Sequence, residues 1–417
     1  MSGRTTRPQP WRWARLLETP QRLCFAAAAL LLAGSGLWWC LALLAAQQGW
    51  PLHWQLPPAM VHGLLMTLGP MPLFFAGFMF TAVPRWLDLP TPPARSLLEP
   101  LLAQLCGWAA LLLAAHGGSP SLGRALGAIG LAAVAWGWSG MLWRFAALLR
   151  ASEAADRTHA RALLGAGSVG ALCLWASSAA LLVGEFALLR ALNLVALWGF
   201  IGASFAAALH RMLPVFAAAC PGWSERQPLW GLWAWLGLCA VEASTALWTW
   251  PPLALALALL EAAAGTGVLL LAWRWARVQT LGLRLIAMLW TGWCWLGLAL
   301  LLSAASAWLP LGRAPLHAYA LGFLGTSLLA MASRVSSTQA GRSVAADDAT
   351  WGLFWVLQLV ALARIGAALA PTLLLSAAIG WAGIALAFLL RHGRWWGLPR
   401  AGSGRPPLTS CSLPTPT

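Results

Sequence analysis

Twelve apolar runs of about 18 to 25 residues divide this chain, each long enough to cross a hydrocarbon layer about 30 Å thick as a helix. They fall at Leu23–Ala46, Ala59–Val83, Leu97–Ala115, Leu126–Trp143, Ala162–Val183, Phe186–Leu209, Leu229–Trp250, Leu253–Trp273, Leu285–Trp308, Leu316–Ser333, Trp351–Ala370 and Thr372–Leu390. No water is available in such a layer to satisfy the backbone, so each run must close its own hydrogen bonds as a helix. Of the 417 residues, 60% are hydrophobic and 9% charged, which excludes a water-soluble fold. The predicted class is an all-α membrane protein, a polytopic bundle of about twelve transmembrane helices.

The charge of +15 comes from 26 basic residues, all Arg, set in small groups between the runs. That distribution makes the lipid bilayer the expected partner and nucleic acid an unexpected one. With the N-terminus inside, the inner segments carry clusters such as Arg4 to Arg22, Arg144 to Arg161 and Arg274 to Arg284, while the outer ones carry only Arg124 and Arg313. Such alternation fits the rule that cytoplasmic loops retain positive charge, and it puts both termini on the cytoplasmic side of a multi-pass membrane protein. The first run exceeds a signal-peptide core and is read as a retained span. Residues 1–22 then form a cytoplasmic Arg-rich segment, 23–392 the transmembrane domain and 393–417 a disordered cytoplasmic tail. None of the eight Cys forms a C-x-x-C, so no covalent haem attachment or zinc ribbon is present.

Side chains that are costly in lipid carry the functional information. His62 and His317 fall near the outer ends of helices 2 and 10, at matching depth, where two imidazoles could clamp a haem iron from both faces. The alternative is that each is an ordinary hydrogen-bonded core histidine. Met60, Met66 and Met71 bracket His62 and offer thioethers to Cu(I), although their spacing fits helix packing equally well. A Cys220-Pro221 pair is a weak thiolate candidate. Arg190, Glu242, Glu261 and Arg364 fall within helices 6, 7, 8 and 11. They are read either as two Arg–Glu pairs that fix packing, or as propionate partners (the Arg) and a proton or cation path (the Glu). Helices 2, 6 and 10 also end alike, with Arg85, His210 and Arg211, and Arg334 and Arg342. Converging guanidiniums there would hold an anion or a propionate.

Three stretches resemble the NnrS family of bacterial membrane proteins: HGLLMTLGPMPLFFAGFMFTAVPRW from His62, LHRMLPVF from Leu209, and LHAYALGFLGTSLLAMASRVSSTQAGR from Leu316. The resemblance implies an inner-membrane protein of the nitric oxide response that contains haem, of non-covalent b type, and copper. It implies cofactor-binding roles for His62, His210 and His317 within a framework of Arg85, Arg211, Arg334 and Arg342, with Arg190 and Arg364 as propionate partners. Leu64 and Leu65 replace the second His and the Glu of the family's H-x-H-E-M cluster, which removes donors from a copper site. Gln339 likewise stands where R-V-S-x-G-H-x-G-R has His.

Helix order is also similar to that of haem-copper oxidase main subunits, whose low-spin haem is held by His on helices 2 and 10. Helix 7 here has no His and Tyr319 stands where H-x-H would supply another, so a binuclear reducing centre is not expected. The expected function is haem-based one-electron transfer or protection of metal centres, with a membrane metalloenzyme or an electron donor as partner. Enzymatic turnover is left open. The alternatives are a permease for a small solute or metal that uses Glu242 and Glu261, and a non-catalytic assembly factor.

Overall fold

The computed structural model describes residues 10–217, 228–248, 251–278, 281–342 and 346–400. It is an all-α bundle in which, among the described residues, eleven helices are long and apolar enough to cross a membrane. We number the helices α1 (Pro20–Gln48), α2 (Pro58–Met79), α3 (Ala94–His116), α4 (Pro120–Ala151), α5 (Thr158–Val183), α6 (Phe186–Leu213), α7 (Leu229–Leu247), α8 (Ala254–Arg277), α9 (Arg284–Ala305), α10 (Ala314–Gln339), α11 (Asp348–Gly366) and α12 (Leu373–Trp396). The 19-residue α7 stands where the seventh run was expected but is not among those eleven, and it carries three Trp and Glu242 between its aliphatic residues.

Local chemistry sets the helix ends. Pro20 and Pro120 open α1 and α4 behind Thr19 and Ser119, whose hydroxyls accept from the backbone N–H groups of Arg22 and Leu122, both at 3.3 Å. Gly49 and Gly184 close α1 and α5 with φ of 68° and 83°, a left-handed geometry that favours glycine. Pro70 brings no N–H to the middle of α2, and the helix breaks at Gly69. Two other helices loosen into π-helix, α6 over Ala196–Gly202 and α10 over Ala318–Gly325.

The three helices with similar Arg-bearing ends prove to be the central ones. In α2, α6 and α10 the apolar windows are 72%, 72% and 67% buried, against at most 56% in the other candidate spans. Aromatic rings join them: Phe75 meets Phe205 at 5.2 Å between centroids, and Phe205 meets Phe323 at 6.2 Å. Leu113, Ile129, Leu172 and Leu359 point outward from the surrounding helices, the apolar exterior that lipid contact requires. Small residues bring neighbours close. A Cβ on Gly130 of α4 would lie 2.6 Å from the Gly107 carbonyl oxygen of α3.

Both described ends of the chain meet at one end of the bundle. The Trp11 indole donates to the Gly393 carbonyl at 2.9 Å, and Arg22 donates to that of Trp396 at 3.2 Å. We refer to this as the termini end.

Candidate functional site

His62 and His317 each sit about one turn inside the N-terminal end of a central helix, α2 and α10, which run in the same direction. Trp39 places them relative to the termini. It lies 19 residues along α1 from Pro20, roughly 28 Å of helix, and stacks on the His62 ring at 4.1 Å between centroids. The pair therefore lies near the end opposite the termini.

The two imidazoles and the Arg364 guanidinium of α11 are close enough to interact electrostatically. His317 Nδ1 is 2.8 Å from the Arg313 carbonyl oxygen one turn back. A proton on Nδ1 satisfies that contact and leaves Nε2 as the lone-pair nitrogen, as outer partners of metal-binding His do. His62 Nδ1 is shielded from water and has no partner among the described residues. A third central helix contributes Asn193 of α6, against which Gly63 packs: a Cβ there would lie 3.1 Å from Asn193 Nδ2. Asn193 Oδ1 is also shielded and without a partner among the described residues. The sequence reading missed Asn193, although a lone Asn amid an apolar helix was the available signal. Two imidazoles and a guanidinium thus come together from three helices, with the Asn193 amide beside Gly63 on a fourth, a set that could hold an anionic planar group or an iron.

Four other histidines, His116, His159, His210 and His392, make contacts elsewhere, although His392 Nε2 is buried without a partner among the described residues. His210 Nδ1 meets His159 Nε2 at 2.9 Å, and its Nε2 faces the Pro228 carbonyl at 3.3 Å. Both His210 nitrogens have partners, so ligation there would first have to break a contact. His116 accepts from the Trp38 indole at 2.9 Å and lies 3.3 Å from the His53 carbonyl. The buried His392 points Nδ1 at the Phe388 carbonyl, 3.0 Å away. Cys220 and Pro221 lie outside the described residues.

The intramembrane charges do not form Arg–Glu pairs. Glu242 of α7 and Glu261 of α8 are buried with their carboxyls within hydrogen-bonding reach of each other, and Ser303 of α9 donates to Glu261 at 2.8 Å. Two ionised carboxylates cannot donate to one another, so a hydrogen bond between them would need a proton on one. Arg364 instead faces the imidazoles, and Arg190 is exposed at the start of α6.

At the termini end the Arg framework divides in two. Arg211 pairs with Asp156 at 3.3 Å and lies over the Trp86 ring, while its neighbour in the pattern, Arg85, is exposed. Thr158 N–H donates to Asp156 at 3.1 Å, and this bond, ahead of Arg211, holds the Asp156 carboxyl below its ordinary value. Arg334 and Arg342 line a separate cavity of about 390 Å³ together with Arg391. Arg391 stands outside the Arg framework expected from the sequence. No group of three His, Cys, Asp or Glu side chains gathers as a metal cluster among the described residues.

Fold and site together define a polytopic α-helical membrane protein with paired imidazoles between its central helices. A family model described as NnrS protein matches residues 15–400, and the chain belongs to the NnrS family. No curated protein and no solved structure matches it.

Proposed function

We propose that this chain binds haem non-covalently between α2 and α10, with His62 and His317 as axial ligands, and serves the nitric oxide response of a bacterial inner membrane. One observation carries the reading: two imidazoles on different central helices share a neighbourhood with Arg364. The chemistry fits the group. His317 keeps Nε2 for a metal while Nδ1 is tied to Arg313, and His62 has a shielded nitrogen without a partner among the described residues. Arg364 is the propionate partner, Trp39 packs against the His62 ring, and Asn193 supplies a neutral polar contact. Bound haem would supply reversible one-electron chemistry or a site for a small diatomic.

On this reading all twelve helices cross the bilayer, both termini are cytoplasmic, and the helix 2 and helix 10 ligation is analogous to that of haem-copper oxidases. An electron donor or a membrane metalloenzyme is the partner. Copper lacks the donors that the family's helix 2 cluster would provide. An optical spectrum of the detergent-solubilised protein, expressed with haem available, tests the proposal. A Soret band that shifts reversibly on reduction is expected, and colourless protein refutes it.

The Glu242–Glu261 contact favours a second reading, a proton-coupled carrier, because a shared proton between two membrane-embedded carboxyls is what a proton-binding step needs. Proton-driven uptake into vesicles that is lost in Glu242→Gln would support it.

A further inference from the structure

The cavity at the termini end lies between the last turns of α10, the first turn of α11 and the last turns of α12, with α9 behind it. At about 390 Å³ it falls within the range of small-molecule sites. Its lining carries three guanidiniums, from Arg334, Arg342 and Arg391, and one carboxylate, Asp347. That carboxylate is already committed. One oxygen accepts from the Thr350 N–H at 3.0 Å and the Thr350 hydroxyl at 2.9 Å, and the other pairs with Arg391. Arg391 Nε remains shielded and has no partner among the described residues. Arg342 and Arg391 both lie over the Trp395 ring, at 4.9 and 5.0 Å from its centroid, so one indole positions two cations at the same wall.

A neutral donor completes the set. Ser333 lines the cavity at 6% exposure, and its hydroxyl has no partner among the described residues. A hydroxyl in that condition costs free energy unless an acceptor reaches it. What satisfies these groups together is a compact anion with several acceptor oxygens. Guanidiniums bind phosphate through paired N–H donors, and a hydroxyl adds one more bond.

We propose that this cavity binds a phosphate-type oxyanion, held by Arg334, Arg342 and Arg391 with the Ser333 hydroxyl as a neutral donor. The role is distinct from the imidazole site, because Arg334 lies 17 residues along α10 from His317, about 25 Å of helix. The phosphate has two sources at such a place, a soluble phosphate compound or the headgroup of an anionic lipid entering between helix ends.

The test uses the full chain in nanodiscs, with radiolabelled inorganic phosphate as probe. Saturable uptake is expected in phosphatidylcholine discs, weakened roughly tenfold or more in Arg342→Gln, since one charge-assisted hydrogen bond is worth that much. Arg342 is exposed, so the substitution gives up its stacking on Trp395 but opens no cavity in the core, and Ser333→Ala gives a second, smaller reduction. Repeating the measurement in phosphatidylglycerol discs separates the sources. Phosphate uptake that persists there assigns a soluble ligand. Loss of uptake, together with one lipid retained by wild type and not by Arg342→Gln in native mass spectrometry, assigns the headgroup. Equal phosphate binding by wild type and both variants overturns the proposal, as does the absence of both saturable phosphate and retained lipid.

Discussion

Trp198 and Tyr319 stack face to face with centroids 3.8 Å apart, each on the π-helical stretch of its own helix. The wider turns of α6 and α10 therefore meet through their aromatic side chains. A Cβ on Gly202 would collide with the Tyr319 hydroxyl, which is buried and without a partner among the described residues. Tyr319→Phe removes only that hydroxyl and should leave the melting temperature unchanged or raise it, by a gain of up to about 1 kcal/mol. Gly202→Leu forces the rings apart and should cost roughly 1–3 kcal/mol. Thermal melts of the two variants in the same detergent check the ordering.

If His62 and His317 hold haem, each alanine variant loses the reversible spectral shift, whereas His210→Ala keeps it because His210 is bound to His159 and Pro228 at the other end of the bundle. Redox difference spectra of the three variants are the measurement. A shift that survives in both His62→Ala and His317→Ala removes the assignment.

Gln358 of α11 accepts from the Trp295 indole at 2.6 Å and donates to the Thr326 hydroxyl at 3.1 Å, linking α9, α10 and α11. Gln358→Leu has similar bulk and strands both buried partners. It should destabilise by roughly 1–3 kcal/mol, the upper range because transmembrane polar contacts are individually weak but a stranded group is not. Unfolding in mixed micelles measures it.

Asp156 lies in the segment before α5, outside the membrane-spanning helices. Its carboxyl is held below the ordinary 3.8 by the Thr158 N–H first and, more weakly, by Arg211. A depressed carboxyl stabilises the folded state above its unfolded value and ceases to do so as pH falls through the folded one. Wild type should therefore lose stability relative to Asp156→Asn as pH drops below about 4, and the two should run parallel near neutrality. Melts across that range decide it.

At the α3–α4 crossing, Gly130→Leu places a side chain where the Gly107 carbonyl sits. A loss of about 1–3 kcal/mol or more is expected, with Gly130→Ala milder. Resistance to protease in detergent reports the outcome.

Much of the fold was legible in order of residues alone. Spans such as Thr158–Val183 and Phe186–Leu213 begin and end within a few residues of the expected runs, because a membrane segment is specified by length and apolarity. α7 was the exception, standing outside the eleven with three Trp and Glu242 between its aliphatic residues. At the site, depth was readable and partners were not. His62 and His317 were legible as a pair because both lie near the start of an even-numbered helix. Asn193 and Trp39 were not, because nothing in their own segments says which helix stands beside them.

What the sequence determined by itself is the set of helices and, through Arg, the contrast between the two ends of the bundle. Tertiary structure decided that Glu242 faces Glu261 rather than an arginine, that His210 is tied to His159, and that Arg391 joins Arg334 and Arg342 around one cavity. The reason is the solvent. Where lipid is as apolar as a leucine-lined interior, a helix can be hydrophobic on every side, so periodicity does not show which face turns inward. Only the packed bundle, through close approaches such as Gly130 on Gly107, fixes each helix's rotation and the neighbours its polar side chains meet.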